Sequence, residues 1–117
     1  MRFRARHRLR ANKDFALIRK SGKRHSFAGF LVQALAHEKG QTGRRIGFRV
    51  SRKVGNAVTR NHAKRYFREL FRIHHEELPE QCDLVLVVHP TLPKMNRKSI
   101  EENFIKLCRR ISTLAVA

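Results

Sequence analysis

The chain has 117 residues, of which 27 are lysine or arginine and nine are aspartate or glutamate, so its formal net charge is +18. This length is that of one domain, and hydrophobic residues make up 41% of the sequence, which is enough for one modest core and argues against a disordered chain. No apolar run approaches the ~20 residues of a membrane span, so we expect a single domain, residues 1–117, that binds a polyanion such as nucleic acid.

The first predicted elements are a short helix and a strand. Asn12 is a favoured N-cap residue for a helix that Gly22 would end. Alternating apolar residues predict a strand over residues 27–36, with Phe30 and Val32 on the same face.

A polar turn and a second strand follow. Residues 37–43 include two glycines and suit a hairpin that joins the strands on either side. Residues 45–51 alternate strictly, which predicts a half-buried strand. Its outer face would be basic, since Arg45 and Arg49 lie on it with Gly47.

The second half of the chain predicts a long helix, a buried strand and a last helix. Apolar residues at helical spacing mark a helix over residues 57–75. Residues 83–89 form a continuous apolar run, typical of a central strand covered on both faces. Ser99 is a suitable N-cap for the last helix. Elements in this order predict an α+β sandwich.

The cysteines and the N-terminus bear on the compartment. Cys82 and Cys108 lie in separate apolar contexts, and the chain has no CxxC motif. A zinc ribbon and a thioredoxin-type site are therefore excluded, and we expect two reduced thiols. The basic N-terminus lacks the apolar segment of a secretory signal, so we expect a cytoplasmic protein.

The positive charge is concentrated in two blocks. Residues 1–25 carry ten basic residues and one acidic residue, and so do residues 44–72, whereas residues 26–43 and 73–117 are each neutral. This separation indicates two surfaces that face RNA or DNA, or one surface built from both blocks.

The second block forms a cationic stripe on the long helix. The stripe consists of Arg60, Lys64, Arg68 and Arg72, and Asn61 and Arg65 widen it. Like charges one turn apart repel, and Glu69, the one acidic residue in this block, is predicted to lie off the stripe. A bound polyanion would relieve the repulsion.

The approach to this helix adds a phosphate site. Gly55 permits a tight turn, and Asn56 is a plausible N-cap. The N–H groups at a helix start bind phosphate well, and Arg52 and Lys53 flank this position.

Residues 54–69, VGNAVTRNHAKRYFRE, resemble the signature of the protein subunit of bacterial ribonuclease P, in which a Gly-Asn-Ala-Val turn leads into a basic helix. The residues that match are Arg60, Asn61, Lys64, Arg65 and Arg68. His62 stands where the family usually has arginine, which would weaken one phosphate contact or make it pH-sensitive. The resemblance covers residues 8–110, including the first helix and the strand before the signature.

The resemblance implies a fold and a set of partners. The fold is one mixed β-sheet with three helices, similar to the second domain of a ribosomal small-subunit protein, with a left-handed crossover around the signature helix; most such crossovers are right-handed. Apart from the resemblance, the basic start of the chain, residues 1–10, is expected to be a flexible arm. The partners implied are the ribonuclease P RNA subunit and precursor tRNA.

The implied activity is Mg²⁺-dependent removal of the 5′ leader from precursor tRNA, with catalysis by the RNA and no catalytic residue, metal or cofactor on the protein. Protein-borne two-metal hydrolysis needs clustered carboxylates, and the basic blocks contain only Asp14 and Glu69. The predicted contacts to the RNA subunit are Arg52, Lys53, Asn56, Arg60, Asn61, His62, Lys64, Arg65 and Arg68.

The resemblance also implies a cleft for the single-stranded leader, between the first helix and the sheet. Phe15 and Phe30 match the aromatic floor of that cleft, and Arg19 and Arg49 would form its rim. Arg19 stands where the family often has an aromatic residue. The alternative for Phe15 and Phe30 is packing in the core.

Three other classes of protein share some of these features. A non-catalytic RNA-binding protein, such as a ribosomal protein, has similar charge but does not need the signature. A DNA-binding helix-turn-helix module needs two adjacent helices, whereas the basic helix here follows a strand. A membrane-active helix would bury its apolar side in the membrane, whereas the core of this protein needs that side of the helix. We therefore expect neither DNA nor a membrane as a partner.

Overall fold

The computed structural model describes residues 7–9, 12–36 and 43–116, which form a four-stranded mixed sheet and three α-helices. The helices are α1 (Asn12–Ser21), α2 (Ala57–His74) and α3 (Arg97–Val116). The strands are β1 (Lys23–Phe27), β2 (Phe30–Ala36), β3 (Arg44–Val50) and β4 (Cys82–Val88). This is the predicted α+β fold. Within the described residues, no helix has both the length and the apolar composition that crossing a membrane requires.

The order of the strands is β1-β2-β4-β3, so β4 lies between an antiparallel β2 and a parallel β3. Every residue of β4 except Val87 is buried, which confirms the prediction of a central strand covered on both faces. The predicted hairpin between the strands now labelled β2 and β3 is wrong, because the apolar β4 buries both of its faces by taking the position between them. Residues 37–42 of that turn lie outside the described residues.

β3, α2 and β4 form a parallel strand–helix–strand crossover. The helix begins and ends within one residue of the predicted bounds. The left-handed sense of the crossover stays a prediction.

The strand predicted over residues 27–36 begins only at Phe30, as β2, and Phe27 is instead the last residue of a separate strand, β1. The two strands form a hairpin with its turn at Ala28 and Gly29. Gly29 has a φ of 90°, and a Cβ there would lie 2.5 Å from the Met95 sulfur, so the turn requires glycine. Among the strands that the structure describes, β1 pairs with β2 alone. β1 was not predicted because its sequence is mostly polar. Of its five residues, only His25 and Phe27 turn towards the core.

The N-terminal segment extends the sheet at the outer edge of β3. Arg8 bridges Ile46 in parallel fashion, and the Leu9 N–H donates to the Ile46 carbonyl at 3.1 Å. His7 and Leu9 are buried. A flexible arm over residues 1–10 is therefore wrong for residues 7–9, because they pair with β3 and pack; the other residues of that stretch are not among those described.

The sheet has a core on each face. The main core joins one face of the sheet to α2 and α3, with Phe30, Phe67 and Phe104 at its centre. The second core packs α1 on the other face, through Ile18 and Val85.

Both cysteines lie in the main core. Cys82 and Cys108 are free thiols, as predicted. Burial raises the pKa of each thiol to about 12, so neither is a nucleophile near neutral pH.

The N-caps follow the prediction at one helix and depart from it at another. The Asn56 side chain accepts a hydrogen bond from the Thr59 N–H at 2.9 Å, as expected for the cap of α2. The cap of α3 is Asn96, whose side chain accepts from the Lys98 N–H at 2.7 Å. The prediction of Ser99 was wrong because two good capping residues lie within one turn, and the helix begins after the first of them.

An ion-pair cluster joins α1, β3 and β4. The Arg45 guanidinium donates to both carboxylate oxygens of Asp83, at 2.8 and 2.7 Å, and lies 3.6 Å from the Asp14 carboxylate. Asp83 is 2% exposed. The predicted basic outer face of β3 is therefore wrong at Arg45 and at Gly47, because α1 covers that part of the strand; Arg49 is exposed as predicted.

Candidate nucleic-acid interface

The start of α2 is built by a glycine and a cap. Gly55 has a φ of 154°, and a Cβ there would lie 2.9 Å from Thr59 Cγ2. Glycine therefore lets the chain turn from β3 into the helix, where Asn56 caps the first turn. A helix N-terminus carries partial positive charge, and Arg52 and Lys53 are exposed in the short 3₁₀ turn before it.

The predicted RNA-contacting residues lie together on the open side of α2, here called the α2 face. Four residues on the opposite side are buried in the main core: Ala63, Phe67, Leu70 and Phe71. The exposed members of the α2 face are Arg52, Lys53, Asn56, Asn61, His62 and Arg65, and the half-buried ones are Arg60, Lys64 and Arg68. The amphipathic arrangement is as predicted, and RNA contact by these residues stays a prediction.

Two arginines of the α2 face have incomplete hydrogen bonding. The Nε atoms of Arg60 and Arg68 are hidden from solvent and have no hydrogen-bond partner within the described part of the chain. The Arg68 guanidinium lies 5.7 Å from the centroid of the Phe48 ring. Burial, together with the charge of Arg8, lowers the pKa of Arg68. A bound anion would accept hydrogen bonds from these groups and supply a negative counter-charge.

The stripe ends at Arg72. Its Nε donates to the Glu69 carboxylate at 3.1 Å, and this hydrogen bond lowers the pKa of Glu69. Glu69 was predicted to lie off the stripe. From there it still reaches Arg72, because residues three apart are neighbours on a helix. Among the described residues, the part of the stripe with no carboxylate partner is therefore Arg60 to Arg68.

A second basic surface lies on the sheet face that carries α1. There α1 leaves one end of the sheet open, and a groove of about 680 Å³, here called the sheet groove, occupies it. Leu31 and Val87 are register partners at its floor. Arg24 and Lys53 line its sides. Lys53 thus connects the sheet groove with the α2 face.

Phe30 does not form the floor of a cleft beside α1. It pairs with Val88 on the α2 and α3 side of the sheet and packs edge-on against Phe67, with 5.2 Å between ring centroids. Phe30 borders the sheet groove, yet only 1% of its surface is exposed. The geometry favours the alternative of core packing for Phe30, because the alternation along β2 turns Leu31, and not Phe30, towards the α1 side; contact of Phe30 with a leader stays a prediction.

Phe15 lies where the prediction put it, between α1 and the sheet. Its half-buried ring rests on Gly47, where a Cβ would be 2.6 Å from Phe15 Cζ. The Arg49 guanidinium lies 5.3 Å from the ring centroid, which is a cation–π distance. Arg19 is exposed one turn further along α1. Phe15 and Arg49 together make the ring and cation that a single-stranded groove uses.

Sequence reasoning missed Arg24, Leu31 and Val87 as groove residues. Arg24 was missed because β1, the strand that carries it, was not predicted. Leu31 and Val87 have the apolar character of ordinary core residues, although the period-2 alternation already places Leu31 and Phe30 on opposite faces of the strand. What the sequence lacks is the position of α1, which covers one half of that sheet face and leaves the other half open.

The carboxylates of this face are engaged by Arg45. Asp14 and Asp83 both face that guanidinium. Among the residues that the structure describes, no three His, Cys, Asp or Glu side chains are arranged to hold a metal ion.

The sequence matches a known protein family and several of its members. The model of the protein family described as ribonuclease P matches residues 3–112. A ribonuclease P protein component from Finegoldia magna is 33% identical over 105 residues, which is 90% of each chain. One from Dictyoglomus turgidum is 34% identical over 109 residues, covering 92% of this chain and 90% of that protein.

Solved structures agree with the sequence relatives. The RNase P protein from Thermotoga maritima superposes with a TM-score of 0.77 at 32% identity, covering 89% of this chain and 96% of the other. The RNase P protein from Staphylococcus aureus superposes with a TM-score of 0.76 at 28% identity, covering 93% and 94%.

Proposed function

The chain belongs to the ribonuclease P protein family, and on that premise we propose that it binds the RNA subunit of ribonuclease P and the 5′ leader of precursor tRNA. In this assembly it assists the Mg²⁺-dependent cut that removes the leader. The observation that carries the proposal is the α2 face, where eight of nine predicted RNA-contacting residues match or flank the family signature and point away from the core. The ninth is His62.

The α2 face contacts the RNA subunit through phosphates. Four of its cations project from one helix whose opposite side is buried: Arg60, Lys64, Arg65 and Arg68. The backbone positions that carry them are therefore fixed relative to one another, and Arg52 and Lys53 lie in the 3₁₀ turn just before the helix. Contacts of this kind supply affinity and salt dependence rather than base readout.

The protein contributes binding and charge, and the RNA carries the reaction. The described residues do not fit a magnesium site of the protein's own, because Asp14 and Asp83 are held by Arg45. Mg²⁺ bound by the RNA would supply the activated water. The basic side chains offset the charge of two RNA molecules brought together.

The sheet groove, with Phe15 and Arg49 beside it, receives the leader. A single strand needs stacking or apolar surface for its bases and cations for its phosphates. Leu31 and Val87 supply the first, and Arg24 and Lys53 supply the second.

The test is a processing assay. The protein is mixed with a bacterial ribonuclease P RNA and a 5′-extended precursor tRNA at low Mg²⁺, and leader release is followed with each component omitted in turn. We expect cleavage to require the RNA and to be accelerated by the protein. Binding without acceleration would instead indicate a general RNA-binding protein, and cleavage by the protein alone would indicate a catalytic site on the chain.

Gly47 sets the position of the Phe15 ring, and its replacement will weaken leader binding. In Gly47→Ala the new methyl group displaces the ring, which lies 2.6 Å from the Cβ position. We expect the holoenzyme to bind precursor tRNA about fivefold more weakly, within the range for loss of one stacked base, and to bind mature tRNA unchanged. Affinities for the two tRNAs are the measurement.

The control for this prediction is the same substitution in a Phe15→Leu background. If Gly47 acts through the ring, the second change adds little to the first. Equal losses for precursor and mature tRNA would mean that Gly47→Ala disturbs the fold and not the leader site.

A further inference from the structure

A small pocket lies at the outer edge of β3 and shares no lining residue with the sheet groove. Its volume is about 230 Å³. An apolar cavity of ~150 Å³ admits benzene, whereas pockets for drug-sized molecules begin near ~300 Å³. The pocket is therefore of a size for one ring system, such as a nucleobase.

Two aromatic rings reach this pocket from opposite faces of the sheet. Phe15 comes from α1 and rests over Gly47. Phe48 belongs to β3 and packs on the main core from the other face. Both are half-buried. Gly47, between them, is buried under the Phe15 ring, so the ring left for a further ligand is Phe48. Unstacked bases of RNA bind to surfaces of this kind.

Three cations line the same pocket: Arg8, Lys64 and Arg68. The lining residues, all in the described part of the chain, include no carboxylate. Arg68 lies over the Phe48 ring, and its Nε lacks a hydrogen-bond partner within the described residues. The Phe48 ring and these cations match the two parts of a nucleotide, the base and the phosphate.

We propose that this pocket takes one unstacked nucleotide of the RNA subunit, with its base against Phe48 and its phosphate at Lys64 and Arg68. The inference rests on the proposed function. The nucleotide belongs to the RNA subunit and not to the leader, because Lys64 and Arg68 are part of the α2 face. The leader, by contrast, follows the sheet groove.

The test compares two ring deletions in the whole protein, each measured for affinity to a bacterial ribonuclease P RNA. Phe48→Leu keeps apolar volume against the core and removes the ring from the pocket. Tyr66→Leu is the matched control, since Tyr66 is also half-buried on the main core and lies under an arginine, Arg97, at 5.4 Å. We expect Phe48→Leu to bind about tenfold more weakly and Tyr66→Leu to change affinity less than about twofold, with thermal melting confirming that both fold.

The salt dependence of RNA binding distinguishes a contact with the base from a contact with the phosphate. Phe48→Leu removes no phosphate contact, so its slope of log affinity against log salt will equal that of the unmodified protein. Lys64→Gln will reduce that slope by about one. A reduced slope in Phe48→Leu would overturn the assignment of the ring to a base.

Chemical probing of the RNA bases gives a direct readout. We expect one unpaired base to be protected in the complex with the unmodified protein and to become reactive with Phe48→Leu. The proposal is overturned if no base changes, if Phe48→Leu binds as well as Tyr66→Leu, or if affinity is lost only for leader-bearing precursor. Failure of the unmodified protein to bind the RNA subunit at all would refute the proposed function, and that outcome is distinguishable from the other three.

Discussion

Replacing Asp83 with asparagine will lower the free energy of unfolding by about 3 kcal/mol, because it leaves the Arg45 guanidinium without its buried counter-charge. The carboxylate is nearly inaccessible, with 3% of its side chain exposed, and binds Arg45 through two hydrogen bonds. Small domains are stable by only ~5–15 kcal/mol, so this loss is a large share of the total. Urea unfolding of the isolated protein is the measurement.

The control is the same substitution at Asp14, which faces the same guanidinium at 3.6 Å but is 23% exposed. A partly exposed pair of this kind contributes less than about 1 kcal/mol. Replacing both partners, with Arg45→Met and Asp83→Leu, will recover much of the loss, since an apolar pair avoids the cost of burying charge. Equal effects of Asp83→Asn and Asp14→Asn would contradict this account.

Reversing two charges on the α2 face will weaken binding to the RNA subunit on the order of 100-fold at about 0.1 M salt. Arg60→Glu with Arg65→Glu removes two phosphate contacts and adds repulsion. Each lost contact also reduces the salt slope by ~0.9, so the measurement is affinity across a salt series.

The matched control for charge reversal is Lys98→Glu with Lys106→Glu. Both lysines are exposed on α3, in the part of the chain that carries no excess charge, and the change in net charge is the same. We expect a several-fold loss at most. If the control loses as much as the α2 variant, overall charge and not the α2 face accounts for binding.

The elements that sequence reasoning predicted well are those that depend on residues close together in the sequence. α2 has apolar residues at helical spacing, a capping asparagine and a glycine before it, and all of these act within one or two turns. β4 was recognised from its continuous apolar run. The α2 face follows from the same periodicity that predicts the helix.

The elements that were missed depend on distant parts of the chain. Arg45 looks like an outer-face residue until Asp83, 38 positions later, and α1 are brought against it. Phe30 was assigned to the correct face of its strand relative to Val32, but alternation alone does not say which face α1 covers. β1 gains its place by pairing with β2, and little in its own composition indicates a strand.

The strand order has a consequence for the protein during its synthesis. β4 is the last strand in the chain, yet it separates β2 from β3. Before residues 82–88 are made, those two strands have no common partner and the sheet cannot close. Residues 1–72, however, already carry the whole net charge of +18. A growing chain therefore attracts RNA non-specifically before either basic surface exists, and selectivity arises only when the central strand is inserted.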